Sequence, residues 1–384
     1  MKLRSGRVAR TLFIYIAIAS TMIVGVGPVF LGMLARKFAL PLEQQGWVLS
    51  VEMAGVIIGT LFSPSAERRF GTRLLTLGGA LVGLAANLSC VQASDFAGLL
   101  ACRLVAGIGG GLLYSSALTA LGRLPEPARS YGAMLFLQTL LFAAFASVLP
   151  MIAERYGVNM AINALAVWFG LIVVICNWLP DIRALGITSP GHITVHPPGS
   201  GKVGLYALVG ILCLQLGIYS VWGFLENVAV EGGVATFDVG WALGLGLLGG
   251  LPGSALPSLF GQRLPSNLMI ALGSLAVLGS LGMLAQGVHQ ATELALAVFV
   301  MNVGWTLALS YYMATVATHD PSKRLAPAIG FIQTAAAAIA PAIVAGLLPF
   351  TGEGVIYVLA AVAIFSGGLM QFLLVRAKRN LMQI

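Results

Sequence analysis

Twelve apolar runs, each close to the length of a membrane-crossing helix, leave this chain few folds to choose from. They lie near residues 11–34, 45–63, 73–92, 96–121, 131–151, 159–179, 203–228, 237–258, 267–286, 291–316, 327–349 and 354–375. A crossing helix needs roughly 20 mainly apolar residues. Only 9% of the 384 residues are charged and 58% are hydrophobic, too few charges to cover a soluble surface. Soluble enzymes, nucleic-acid binders and disordered scaffolds are excluded on that ground. The expected class is an all-α integral membrane protein with the lipid bilayer as its main solvent. The net charge of +8 is no sign of nucleic acid, because the basic residues sit in short clusters between the runs and read as a topology signal. The first run follows the basic stretch Met1–Arg10. It is too long for the apolar core of a signal sequence and has no small-residue cleavage site after it, so it is expected to be the first span.

With the N-terminus in the cytoplasm and strict alternation, 17 of the 21 Lys and Arg residues fall on the inner side. Arg36, Lys37 and Arg155 fall outside, and Arg103 is left within a span. That bias predicts both termini in the cytoplasm, with the bacterial inner membrane as the expected location. The chain also repeats itself near half its length. Gly46-Trp47 recurs as Gly240-Trp241, offset 194, and Phe70-Gly71-Thr72-Arg73-Leu74 as Phe260-Gly261-Gln262-Arg263-Leu264, offset 190. Phe136-Leu137-Gln138-Thr139 recurs as Phe331-Ile332-Gln333-Thr334, offset 195, and Gly107 and Tyr114 match Gly304 and Tyr311, offset 197. Six spans separate the copies, so both start from the same side, as in transporters with two parallel six-helix halves. The expected organisation is a half at 1–180, a Pro- and Gly-containing cytoplasmic linker at 181–202 and a half at 203–384. A monomer is expected, since one duplicated chain closes its own pathway.

In span count, inner termini, duplication and central linker the sequence resembles the major facilitator superfamily. Two motifs support this. Pro64 to Arg73 is similar to the family loop Gly-x-x-x-Asp-Arg-x-Gly-Arg-Lys: Arg69, Gly71 and Arg73 fit and imply a gating loop. Arg68 occupies the acidic position, Glu67 stands one residue early and Pro64 replaces the first glycine. In span four, Arg103-Leu104-Val105-Ala106-Gly107-Ile108-Gly109 resembles Arg-x-x-x-Gly-x-Gly. The resemblance implies alternating access, by rocking of two halves about a central site.

Glu52 and Arg103 are the two charges well inside the spans. A charge at mid-membrane costs ~2.5–3.5 kcal/mol even on the lenient insertion scale. Each lies about seven residues into a span running inward, hence roughly 10 Å below the outer surface. Equal depth and opposite sign predict a pair. Glu52 is the expected proton carrier with Arg103 tuning it; the alternative is a structural ion pair that fixes helix packing. Glu226, after Trp222 near the outer end of span seven, is a third proton-coupling candidate. Its alternative is an interfacial acid with Trp222 in the aromatic belt.

Gln138 and Gln333, as repeat mates, are candidate solute hydrogen-bonding groups; the alternative is interhelical amide bonding. Tyr15, Tyr114, Gln215, Tyr219, Asn302, Trp305, Tyr311 and Tyr312 are weaker candidates that packing alone explains as readily. Glycines crowd spans two, four and eight, where they let backbones approach closely. Pro28, Pro150, Pro252, Pro257 and Pro341 can kink or break spans. Cys90, Cys102, Cys176 and Cys213 read as buried thiols, and the four histidines have no metal-ligand spacing, so no metal and no cofactor is expected. The chain has no Gly-x-x-x-x-Gly-Lys-Ser/Thr pattern, which speaks against ATP-driven transport.

These features predict a secondary transporter of a small organic solute, coupled to protons. Its sparsely charged pathway suits a lipophilic solute and slightly favours export. The alternative is a proton-coupled importer of an aromatic or carboxylate-bearing metabolite. A membrane-embedded transferase would need clustered acid–base groups at one interface, and a receptor or assembly factor on the same fold would show no flux.

Overall fold

The computed structural model describes residues 2–124, 127–180, 200–260, 264–319 and 325–382. Most of the proposed linker, 181–199, lies outside the described residues, as do Gly261, Gln262 and Arg263 of the repeated loop. The described residues form helices and no strands. In chain order these are α1 (Lys2–Gly25), α2 (Gly27–Phe38), α3 (Leu42–Cys90), α4 (Phe96–Arg123), α5 (Pro127–Tyr156) and α6 (Val158–Ile175) with a 3-10 turn at Cys176–Trp178. Then follow α7 (Ser200–Trp222), α8 (Leu225–Glu231), α9 (Thr236–Leu247), α10 (Gly250–Phe260), α11 (Ser266–Ala285), α12 (Ala291–Thr318), α13 (Leu325–Thr351) and α14 (Gly354–Met382). Among the described residues, nine helical stretches, one of them the α9–α10 pair, are long and apolar enough to cross a membrane. Because α3 holds two spans, and the α1–α2 pair and α14 add one each, the chain is an all-α membrane protein of twelve spans.

Local chemistry sets where spans break. The first span is not continuous: α1 stops at Gly25, and α2 starts with Pro28 in its first turn. Proline lacks the amide hydrogen that would continue α1, and its ring excludes the carbonyl four residues back. Pro252 acts in the same way in the first turn of α10, so span eight parts at Leu248 and Gly249. Span seven, expected to reach residue 228, ends at Trp222, and Glu226 falls in the separate short helix α8. The loop expected at Pro64–Arg73 is mostly helix. Helix α3 runs through Pro64 and departs from helical geometry at Gly71, with φ 79° and ψ 165°. Only glycine takes that conformation without strain, so spans two and three reverse on one residue.

The chain divides into two compact units, Met1–Leu40 with Trp47–Gly191 and Pro41–Gly46 with His192–Ile384. In unit 1, α1 packs on α4, α5 and α6. In unit 2, α7 packs on α12, α13 and α14, and α12 packs on α9, α10 and α11. The start of α4 is capped by Asp95, which accepts from the Gly98 amide at 2.7 Å. The start of α12 carries a capping box of Gln290 and Glu293, two solutions to the same unsatisfied amides.

Glycine contacts fix the repeat register. In unit 1, a methyl at Gly55 would overlap the Leu104 carbonyl and one at Gly59 the Ile108 carbonyl. In unit 2, Gly249 stands against the Phe299 carbonyl and Gly253 against that of Val303. The offsets are 194 for spans two and eight and 195 for spans four and ten. Gly79 faces Gly109 as Gly273 faces Gly304, again at 194 and 195. This corrects the match of Gly107 to Gly304: the packing mate of Gly304 is Gly109, and the mate of Gly107 is Asn302. In unit 1 the contact is reciprocal, because Gly107 and Gly111 press on the carbonyls of Glu52 and Val56. Replacing Gly107 by Ala is expected to destabilise the protein by about 1–3 kcal/mol, the scale of overpacking. Gly170→Ala, with nothing within 4 Å of the added carbon, should leave the thermal midpoint in detergent almost unchanged. Equal midpoints for the two variants would contradict the α3–α4 contact.

Candidate functional site

The close approach of α3 and α4 has a chemical result. With Gly107 seated on the backbone of Glu52, the Glu52 and Arg103 side chains share the same short gap. Arg103 Nη2 donates to Glu52 Oε1 at 3.1 Å, and the side chains are 0% and 6% exposed respectively. The charge is solvated by protein from three further sides. Arg103 Nη1 donates to Asn87 Oδ1 at 3.0 Å, and the guanidinium carbon lies 5.0 Å from the centre of the Phe30 ring, within cation–π range. The buried Cys90 thiol is the third neighbour. The Asn87 amide nitrogen donates to the Gly83 carbonyl one turn back, at 2.7 Å. That bond turns its oxygen toward Arg103.

The pair is not fully satisfied. Among the described residues, Glu52 Oε2 and Arg103 Nε have no hydrogen-bond partner. Buried unpaired polar atoms are uncommon and call for a reason. Glu52 thus carries one oxygen bound to a cation and one bare, an arrangement that can accept a proton at Oε2 while Oε1 is still held. Asn87 was not among the residues expected from sequence. Its signal was there: a polar side chain in span three, about five residues below the outer end, near the depth of Arg103.

The remaining candidates are dispersed. Tyr15 donates to the Trp168 carbonyl at 3.1 Å and stacks on that ring at 5.6 Å, so α1 uses it against α6. Tyr114 is half-buried on α4, and Tyr311 is buried on α12. Asn302 donates to the Val298 carbonyl of its own helix at 2.9 Å. Gln138 is half-buried, with an oxygen that lacks a partner among the described residues. Gln333 reaches the Met313 sulfur at 3.8 Å. Glu226 is 3% exposed and Trp222 5%, so both are buried by protein. Trp305 and Gln215 are hydrogen-bonded, and Tyr219 meets the same indole.

The residues of the Pro64–Arg73 motif are arranged about Gly71. Arg73 Nε donates to the Leu179 carbonyl at 2.7 Å, tying α3 to the end of span six. Arg69 is exposed and lies over Phe70 at 5.4 Å. Glu67, one residue early for the motif, accepts from Thr72 at 3.0 Å and from Ser116 of α4 at 3.2 Å. The displaced acid therefore still bridges the reversal to the neighbouring helix. A cavity of ≈ 240 Å³ beside it is lined by Ser63, Glu67, Arg68, Ser115, Thr119 and Arg123 among others; none of the ion-pair residues reaches it. Among the described residues no group of His, Cys, Asp or Glu is placed to hold a metal.

Beyond the spans, Glu231 at the end of α8 has its carboxyl held above the usual range by burial and by the neighbouring Glu353.

The comparisons with known proteins agree with this architecture. A family model described as Major Facilitator Superfamily matches residues 12–345. The chain is 26% identical over 378 residues to the 3-(3-hydroxy-phenyl)propionate transporter of Escherichia coli (strain K12), covering 91% of this chain and 89% of that protein. Among solved structures, the nucleoside transporter NupG, as a point mutant, superposes with TM-score 0.70 at 11% identity, covering 96% of this chain and 99% of the other. A peptide transporter POT mutant in complex with sulfate gives TM-score 0.70 at 16% identity, covering 96% and 94%.

The repeat mates of Glu52, Asn87 and Arg103 are Gly246, Leu281 and Val298, and Gly246 packs directly on Val298. The same fold thus accepts an apolar pair there. Glu52→Gly alone strands a buried cation and should cost about 3–5 kcal/mol. The double variant Glu52→Gly with Arg103→Val should recover most of that in a thermal-unfolding cycle. Additive losses would show that the two side chains do not interact. For Glu231, a raised folded-state value means stability present below the ordinary glutamate range and lost as pH rises through the raised value. Glu353→Gln should flatten this small decline in thermal midpoint between acidic and neutral pH.

Proposed function

The chain belongs to the major facilitator superfamily, a multi-pass membrane family of small-solute transporters, and from that premise we propose proton-coupled uptake of a small aromatic carboxylate by alternating access. Membership in a transporter family removes the transferase alternative. The observation that carries the reading is the half-satisfied Glu52: Oε1 on Arg103 and Oε2 bare in a buried site. While Glu52 is ionised, Arg103 is occupied by an internal carboxylate. Protonation of Glu52 removes that counter-ion and leaves the guanidinium to a carboxylate carried by the solute. Proton and solute then bind together rather than in turn, which is the logic of symport. Asn87 and Phe30 keep Arg103 in place through the exchange. This favours uptake over the export that a sparsely charged pathway alone suggests. The similarity to a hydroxyphenylpropionate transporter supports an aromatic acid as the solute class. The Lys and Arg bias supports cytoplasmic termini.

The test is flux in proteoliposomes with labelled 3-(3-hydroxyphenyl)propionate. Wild type is expected to accumulate it under an inward proton gradient and not without one. Glu52→Gln should lose driven accumulation by at least about tenfold, as expected of a group used only in the coupled step. It should retain solute exchange across the membrane without a gradient. Accumulation by Glu52→Gln at the wild-type rate would sink the proposal.

A further inference from the structure

We infer that unit 2 carries a subsite for an aromatic ring, built from Gln215, Tyr219 and Trp305. The inference rests on the aromatic-acid reading and names where the ring of such a solute is held. Gln215 and Tyr219 stand one turn apart on α7, and Trp305 faces them from α12. Trp305 Nε1 donates to Gln215 Oε1 at 2.5 Å. Tyr219 meets the indole edge-on, with centroids 6.1 Å apart and planes at 78°. Gln215 is 1% exposed, whereas both rings are only half-buried. The amide is sealed behind the indole and fixes its plane. The rings keep part of their surface open.

The duplication supplies an internal control for whether the fold needs this cluster. By the register of α4 and α12, the mate of Trp305 in unit 1 is Gly110, which stands against the Ser20 carbonyl of α1, and residues 20–25 of α1 carry no side-chain amide and no aromatic ring. There the space above Gly25 is filled by the Phe142 ring, whose own mate in unit 2 is Ala337. Unit 1 therefore builds the same bundle with one apolar ring from α5, no indole and no buried amide at these positions. Bulk is what the fold requires. A tryptophan oriented by a buried glutamine, crossed at near right angles by a tyrosine, exceeds that requirement. Two crossed rings offer a negative face and a positive edge together, which is the surface that complements a third aromatic ring. A saturated ring of the same size has no quadrupole to match it.

The experiment compares binding of 3-phenylpropionate and 3-cyclohexylpropionate to the purified full-length protein by calorimetry. Wild type should hold the aromatic probe about tenfold more tightly, the scale of ring-on-ring contacts. Trp305→Leu and Tyr219→Leu should bring the two affinities toward parity, with Gln215→Leu falling between. A wild-type ratio in the leucine variants, or equal affinities in wild type, overturns the subsite alone. Wild type that binds neither probe overturns the aromatic-acid reading with it. Should the leucine variants unfold, Trp305→Phe decides: it keeps a ring and loses the bond that orients it. The ratio must then drop by at least about threefold, and an unchanged ratio overturns the subsite.

Discussion

Lipid cannot solvate a guanidinium, so the protein must, and much of unit 1 is arranged around doing so for Arg103. The carboxylate of Glu52, the amide of Asn87, the ring of Phe30 and the thiol of Cys90 converge on it from α2 and α3. Convergence of that kind needs helices closer than ordinary side chains permit. The reciprocal glycines Gly55, Gly59, Gly107 and Gly111 of α3 and α4 provide it by leaving no Cβ between the backbones where they meet. Packing and chemistry are therefore one problem here: the spacing that seals the charge also brings its counter-ion within reach.

Duplication makes this argument sharper than a single bundle allows. Over spans two to four and eight to ten a position in one unit has a mate packed in the same register, so a charged residue whose mate is apolar is not required for the packing. Glu52, Asn87 and Arg103 face Gly246, Leu281 and Val298 as mates. Gly107 and Gly111 have Asn302 and Thr306. In unit 2 the Thr306 hydroxyl lies 3.4 Å from the Gly250 carbonyl, beside the break in span eight. Unit 1 has spent its departures from symmetry on charge, unit 2 on hydrogen bonding and aromatic surface.

The twelve spans were legible because the bilayer imposes one length on every crossing helix, and Glu52 and Arg103 because so few charges lie between the ends. The finer features were hidden for identifiable reasons. Pro28 and Pro252 signalled disturbance, but membrane helices tolerate proline as either a kink or a break, and only the backbone distinguishes them. With 48 glycines in the chain, similarity could slide Gly107 onto Gly304; carbonyl contacts cannot slide. Asn87 passed unnoticed because an amide in a span usually bonds its neighbours, and here it bonds both its own helix and Arg103. Tyr15 looked equivalent to Tyr219 by composition, yet one braces α6 and the other meets Trp305.

The register itself records the chain's history. Between Gly79 and Gly273 the copies stand 194 residues apart, and between Gly109 and Gly304 they stand 195 apart. Most side chains differ between the copies, yet over these spans their lengths have drifted by one residue. A bilayer acts as a caliper on both copies: an insertion within a span would push its polar end into hydrocarbon. Sequence was free to diverge, while length was held by the membrane.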